Sequence, residues 1–145
     1  MIGYIYKIYD NTNGNIYYGS TKEELSKRMT KHRANYKRYI EGKGNNVKSF
    51  EILKNNDYSY SVVEKVEFNE KFELLQKERY YIENNECINK CIPTRTRKES
   101  NKNYYDNNKN KIRKYNRDYQ KEYRENNKDK IKEYQKEYRL RKKNI

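Results

Sequence analysis

Five side chains in this sequence have the chemistry to act on a phosphate ester, and four of them fall within its first 32 residues. Tyr6 and Tyr17 are phenols on the two arms of a hairpin. Arg28 and His32, the only histidine among 145 residues, stand four apart, and Glu78 lies much further along between apolar residues one helical turn before and after it. Hydrolysis of a phosphodiester needs an activated water, a cation to stabilise the charge that builds on the phosphate, and usually a metal ion to polarise it. Phenols, an imidazole, a guanidinium and a carboxylate are groups of the right kind. Each also has an ordinary structural use: a strand tyrosine packs, a helix arginine is solvated, a lone histidine fills a core or lies on the surface, and Glu78 pairs with a cation. Spacing alone leaves both uses open.

Such side chains need a frame. From Ile2 to Tyr9, the residues Ile2, Tyr4, Tyr6 and Ile8 alternate with Ile5, Lys7 and Tyr9, and β-branched and aromatic types dominate. That pattern predicts a strand with one inner and one outer side. Asp10 to Asn13 are turn formers and Asn13-Gly14 accepts positive φ, so a second strand over residues 15–19 returns antiparallel. Thr21 followed three residues later by Glu24 reads as a capping box, with Glu23 and Glu24 set against the helix dipole. Leu25, Met29, His32 and Tyr36, at spacings of 4, 3 and 4, mark the apolar face of the helix that follows, to about Ile40. Arg28 and His32 project together beside that face.

Gly42-Lys43-Gly44 breaks this helix. Val47, Phe50, Ile52 and Leu53 suggest a short second one ending at Asn55-Asn56. Tyr58 to Val66 reads as a third strand with Tyr60, Val62 and Val66 on one side. Asn69 then caps a further helix with two stripes, Phe72, Leu75, Arg79 and Ile82 beside Leu74, Glu78 and Tyr81, which Asn84-Asn85 ends. On that helix Glu78 is a half-embedded carboxylate, costly unless a cation or hydrogen bonds offset it. The order β-β-α-α-β-α predicts an α+β fold, a small three-stranded antiparallel sheet flanked by helices around a modest core.

Charge divides the chain after Pro93, its only proline. Residues 1–93 hold 16 Lys and Arg against 13 Asp and Glu, a balance of +3, while residues 94–145 hold 19 against 8, a balance of +11. The chain therefore reads as a nearly neutral domain, residues 1–93, with a basic Tyr/Lys/Asn-rich extension, residues 94–145, and a pI near 9.6. Excess positive charge confined to one segment fits a polyanionic partner. Codon bias toward Lys, Asn, Ile and Tyr is a competing source of part of that composition, but it leaves the shortage of acidic residues there unexplained. Tyr104, Asn107, Asn108, Lys109, Lys111, Ile112, Tyr115 and Tyr119 recur 19 residues later from Tyr123 to Tyr138. Ile, Tyr and Tyr at helical spacing predict two short amphipathic helices joined near Asn126-Asn127, with stripes too thin for a core of their own and with partial disorder until a partner binds. Cys87 and Cys91 make neither a disulfide framework nor a zinc motif. No signal peptide is visible, and no apolar run approaches ~18 residues. The expectation is a soluble, intracellular protein without a membrane partner.

The segments Gly3-Tyr4-Ile5-Tyr6-Lys7-Ile8 and Tyr17-Tyr18-Gly19-Ser20-Thr21, joined by the turn at Asn13-Gly14, resemble the GIY-YIG nuclease family, metal-dependent enzymes that cut nucleic-acid backbones. The resemblance extends from residue 3 to about 93. It implies an endonuclease acting on DNA. Tyr6 matches the tyrosine proposed to activate water, and Tyr17 and Gly19 match the second triplet, in which Tyr18 replaces an aliphatic residue. Arg28 matches the phosphate-binding arginine, and His32 the histidine that assists proton transfer. Glu78 matches the glutamate that holds one divalent ion, Mg2+ or Mn2+, and Asn89, in Cys87-Ile88-Asn89-Lys90, an asparagine that hydrogen-bonds within the site. Some members carry a lysine directly after the second triplet. This chain has Ser20 there, which leaves His32 as the proton acceptor.

The resemblance does not reach the tail. Arg95, Arg97, Lys98, Lys109, Lys111, Arg113, Lys114 and Arg117, interleaved with tyrosines, suit phosphate contacts and base stacking with little sequence choice. A solvated linker or a protein-docking arm is the alternative for this segment. For the whole chain the alternatives are a non-cleaving nucleic-acid-binding protein on the same fold and a scaffold that works through the tail.

Overall fold

The middle of the sheet is β1 (Ile2–Asp10), which pairs antiparallel with β2 (Ile16–Thr21) on one side and with β3 (Tyr58–Glu67) on the other, in the order β2-β1-β3. The computed structural model describes residues 1–143 and divides the chain into two units, Met1–Arg95 and the segment from Thr96 onward. In the first unit α1 (Leu25–Ile40), α2 (Phe50–Leu53) and α3 (Lys71–Asn84) flank the sheet, giving the α+β architecture and three-stranded antiparallel sheet expected from the sequence. No helix among the described residues is long and apolar enough to cross a membrane.

β1 is covered on both faces, not on one. Tyr6 and Ile8 join Met29, Phe50, Ile52 and Leu53 in a cluster under α1 and α2, whereas Ile5 joins Val66, Phe68 and Leu74 under α3. The expectation of an inner and an outer side fails because a central strand between two helical layers buries both sets of alternate side chains. Gly3 allows the second layer to approach, since a Cβ there would lie 2.8 Å from Leu74 and 2.9 Å from Phe68.

A register shift opposite Ile5 and Tyr6 interrupts the β1–β3 ladder. A bulge of this kind redirects side chains. Val66 is buried but Tyr60 and Val62 are exposed, so the single face expected for them does not exist.

The helix starts also differ. β2 continues through Ser20 and Thr21, which pair with Ile5 and Tyr4, so Thr21 is committed to strand geometry. Its Oγ1 accepts from Glu23 N at 3.1 Å, Glu24 becomes the N-cap of α1 without a side-chain bond, and the expected capping box is not formed. Glu23 instead pairs with Lys31. The face expected for α1 holds: Met29 and His32 are buried, and Leu25 and Tyr36 pack against them. Asn69 does not cap α3. Glu70 is the N-cap and Glu73 reaches back to accept from Asn69 N at 3.1 Å. Leu74 and Ile82 are the buried residues of α3, and Phe72 is exposed.

In the second unit α4 (Arg97–Asn126) begins with a complete capping box between Thr96 and Glu99, and α5 (Lys128–Lys143) follows. The chain breaks at Asn127, as the repeat predicts, but Asn107-Asn108 lies inside α4, so the first helix is 30 residues long. None of the described side chains of α4 is buried.

Candidate active site

Tyr6 is seated by a glycine. The register places Tyr6 opposite Gly19, where a Cβ would fall 2.5 Å from Tyr6 Oη and 2.6 Å from Cζ. The phenol therefore lies across β2, fully buried, with its oxygen directed at α1. Gly19→Ala should force the strand or the ring to move and cost about 1–3 kcal/mol. Denaturant unfolding checks this, and a loss below about 0.5 kcal/mol would mean that the ring shifts freely.

The α1 stripe supplies the partners of that oxygen. Arg28 Nε donates to Tyr6 Oη at 3.0 Å, and His32 Nε2 lies 2.8 Å from it. The other ring nitrogen, His32 Nδ1, is 3.1 Å from the hydroxyl of Ser49, itself fully buried just before α2. Tyr17, two residues before Gly19 on β2, sets its ring edge-on to His32 at 6.0 Å between centroids. Tyr6, Tyr17, Arg28 and Glu78 are close enough to act on one another's charge. Burial raises the Tyr6 phenol above its ordinary value against the pull of Arg28, and raises Tyr17 further.

Burial, followed by the charge of Arg28, lowers His32 from 6.5 to about 4. His32 is thus neutral at physiological pH. Between those two values the unfolded chain binds a proton that the folded chain refuses, so stability from this group is complete above about pH 6.5 and is lost as pH falls toward 4, by roughly 3 kcal/mol in all. Unfolding of wild type and His32→Gln at about pH 7 and about pH 4.5 measures it: the variant should lose less on acidification, and equal losses would remove the assignment.

Glu78 reaches the site from α3. Its Oε2 accepts from Ser20 Oγ at 2.5 Å, which also seats the carboxylate against the Ser20 end of β2. Burial raises its pKa, opposed by hydrogen bonding from Ser20 and by Arg28. Two clefts meet at Glu78 and Leu75. One, of about 550 Å³, carries Lys22, Arg28, Lys31 and Lys71; the other, of about 650 Å³, is lined by Tyr17, Asn46, Lys48, Asn89, Lys90 and apolar neighbours. Ser20 faces α3 while Gly19 faces Tyr6 and α1, so groups from both faces of the sheet converge along the edge strand β2. Asn89 holds that edge. Its Oδ1 accepts from Tyr18 N at 2.9 Å and its Nδ2 donates to Tyr18 O at 2.8 Å, taking the place a further strand would occupy.

The sequence model of the GIY-YIG catalytic domain matches residues 2–90. The chain belongs to the GIY-YIG family. It is a family of nucleases, generally dependent on a divalent metal and acting on nucleic acid. Solved structures similar to this chain include a point mutant of the catalytic domain of intron endonuclease I-TevI, at 24% identity over 57% of this chain and 82% of that one, with a TM-score of 0.44. The catalytic domain of homing endonuclease I-TevI is similar at 23% identity over 56% and 85%, also with a TM-score of 0.44. No curated protein sequence matches the chain.

Among the described residues no three His, Cys, Asp or Glu side chains converge as a metal cluster. A hydrated divalent ion can be held by one or two carboxylates together with phosphate oxygens. Glu78, half-buried and facing both clefts, is the carboxylate such an ion would use.

The five residues singled out for chemistry do converge in the first unit, and Asn89 lies beside them, bonded to the backbone of β2. Of the tail residues, Arg95 is half-buried at the end of the first unit, while Arg97, Lys98, Lys109, Lys111, Arg113, Lys114 and Arg117 are exposed on α4. Sequence reasoning missed Ser49 behind His32, the bond from Ser20 to Glu78, and Lys48 and Lys90 in the cleft. A serine ahead of a short apolar helix gives no periodic signal. For Ser20 the departure from lysine was the only clue.

Proposed function

We propose that this protein is an endonuclease that hydrolyses DNA phosphodiester bonds, with residues 1–93 as the catalytic domain and residues 94–145 as a basic tail that adds nucleic-acid affinity, working as a soluble intracellular protein. The observation that carries the reading is the convergence of Tyr6, Tyr17, Arg28, His32 and Glu78, drawn from β1, β2, α1 and α3, at the junction of two clefts. The cation-rich cleft suits a polynucleotide backbone, since Lys22 and Lys71 neutralise phosphates on the approach to Arg28, while Lys31 is paired with Glu23, which lines the same cleft. Arg28, anchored through Nε on Tyr6, stabilises charge on the scissile phosphate with help from Tyr17. Tyr6, hydrogen-bonded to His32, is the group that activates water. One Mg2+ or Mn2+ ion on Glu78 would polarise the phosphate when bound. Asn89 acts indirectly, by holding the backbone of Tyr18 and so the position of Tyr17.

The test is plasmid cleavage by the full chain in magnesium or manganese, with and without EDTA. Cutting that EDTA stops supports the reading. Tight DNA binding without cutting, across several divalent ions and substrate shapes, would favour the alternative, a non-cleaving binding protein on the same fold.

The tail reading draws support from exposed aromatics among cations. Tyr115, Tyr119 and Tyr123 stack in succession with centroids 6.4 Å apart, and Lys142 lies 5.6 Å over the Tyr138 ring. Truncation after Arg95, which leaves the cleft residues Pro93 and Thr94 in place, should weaken DNA binding by about tenfold or more at low salt and flatten its salt dependence. Binding assays at two salt concentrations check this. Unchanged affinity at both would leave the tail as a linker or a protein-docking arm.

A further inference from the structure

The hydrogens along Ser49, His32 and Tyr6 must each find an acceptor, and the two ways of arranging them are not equivalent. Ser49 Oγ lies 3.1 Å from His32 Nδ1, Nε2 lies 2.8 Å from Tyr6 Oη, and Arg28 Nε donates to the same oxygen at 3.0 Å. Among the described residues these are the hydrogen bonds made by the Ser49 hydroxyl, the His32 ring and the Tyr6 hydroxyl. All three residues are buried, Ser49 and Tyr6 completely.

A neutral imidazole carries one ring proton. With that proton on Nδ1, the ring donates to Ser49, Nε2 accepts from Tyr6, and the Ser49 hydrogen has no acceptor in a site with no access to water. Buried hydroxyl hydrogens are rarely left so. With the proton on Nε2, Ser49 donates to Nδ1 and Tyr6 Oη receives two N–H groups, one from His32 and one from Arg28. The hydrogen without a protein acceptor is then that of Tyr6, which is as completely buried as Ser49 but is the member of the chain that chemistry can ionise and the one whose oxygen is held by Arg28, a residue that lines the cleft. Once Tyr6 is ionised, every donor is matched.

We propose that Ser49 fixes His32 as the Nε2–H tautomer, so that His32 and Arg28 form a two-donor socket for the Tyr6 phenolate. The proposal rests on the nuclease reading above and reverses one expected role: His32 does not accept the Tyr6 proton but donates to the oxygen from which that proton departs. The Tyr6 proton is lost to solvent. The phenolate then takes a proton from the attacking water as the water oxygen bonds to phosphorus. The bond from phosphorus to the leaving oxygen breaks, that oxygen takes a proton from solvent, and Tyr6 returns its own proton to solvent before the next turnover. Ser49 is a positioning residue in this scheme. The neutrality of His32 agrees with its depressed pKa.

His32 is the only histidine, so its two ring nitrogens are the only imidazole signals in the ¹⁵N-labelled full chain. Two-bond ¹H–¹⁵N correlations near neutral pH should find the proton on Nε2 in the wild type and a population with the proton on Nδ1 in Ser49→Ala. A proton on Nδ1 in the wild type overturns the proposal, and so does an unchanged tautomer in Ser49→Ala. In cleavage assays Ser49→Ala should lower kcat by about tenfold with KM unchanged. His32→Gln, which can donate but takes up no proton, should keep roughly tenfold more activity than His32→Leu. Equal losses in the two His32 variants overturn the donor role. Should the wild type fail to cut any DNA, the nuclease reading fails by itself, and the tautomer spectrum still decides whether the socket exists.

Discussion

Glu78→Gln is expected to lower cleavage by about 10³-fold or more while leaving DNA affinity unchanged or tighter. The two effects separate because the carboxylate does two opposed things. It sits at the junction of clefts lined by Lys22, Arg28, Lys31, Lys71, Lys48 and Lys90, so its charge weakens the field that draws in a polyanion. Removing the charge should help binding. Catalysis loses the carboxylate proposed to hold a divalent ion. Glutamine keeps the volume and retains an oxygen that can accept from Ser20, so the local packing survives. Stability should hold or rise, because burial already disfavours the ionised carboxylate and a neutral amide avoids that cost. Cleavage rates, DNA affinity and thermal unfolding of the one variant therefore move in different directions. A variant that loses binding and stability together with cleavage would show that Glu78 is a structural residue.

The frame around this site was legible where period and volume decide, and illegible where pairing decides. The α1 stripe of Leu25, Met29, His32 and Tyr36 can be read from spacing because one helix face packs on one cluster. The hairpin is equally clear, since Gly14 has φ +76 and Asn13-Gly14 signals it. The Thr21–Glu24 box was illegible because it depends on where β2 stops. Pairing of Ser20 and Thr21 with β1 outweighs a local cap, and that pairing exists only in the folded sheet. The bulge opposite Ile5 and Tyr6 has the same origin, and with it the exposure of Tyr60 and Val62.

Within the site, Tyr6, Tyr17, Arg28, His32 and Glu78 stand out because their chemistry is unusual for their surroundings and matches a family pattern. Ser49 and Ser20 are common residues whose value comes only from what they touch. Asn89 was found through the resemblance, but its two bonds to the Tyr18 backbone give it a physical reason that the sequence does not contain.

Tyr6→Phe should reduce cleavage by about 10²–10⁴-fold, with little change in KM. Phenylalanine keeps the ring that lies against Gly19 and packs with Ile8 and Met29, so the core should stay filled. What goes is one oxygen, and that oxygen is the shared partner of Arg28 Nε and His32 Nε2. Its loss leaves the buried His32 Nε2 and the half-buried Arg28 Nε without their shared partner, at a cost of about 1–3 kcal/mol in stability. The rate loss should exceed anything this destabilisation produces, because a folded fraction above nine-tenths cannot lower a rate more than about 10%. Single-turnover cleavage and unfolding on the same preparation separate the two. A Tyr6→Phe protein that is destabilised as expected yet cleaves within about threefold of wild type would leave Tyr6 with a packing role and assign water activation to another group. Tyr17 is the next phenol in line, since it borders both His32 and the Glu78 cleft.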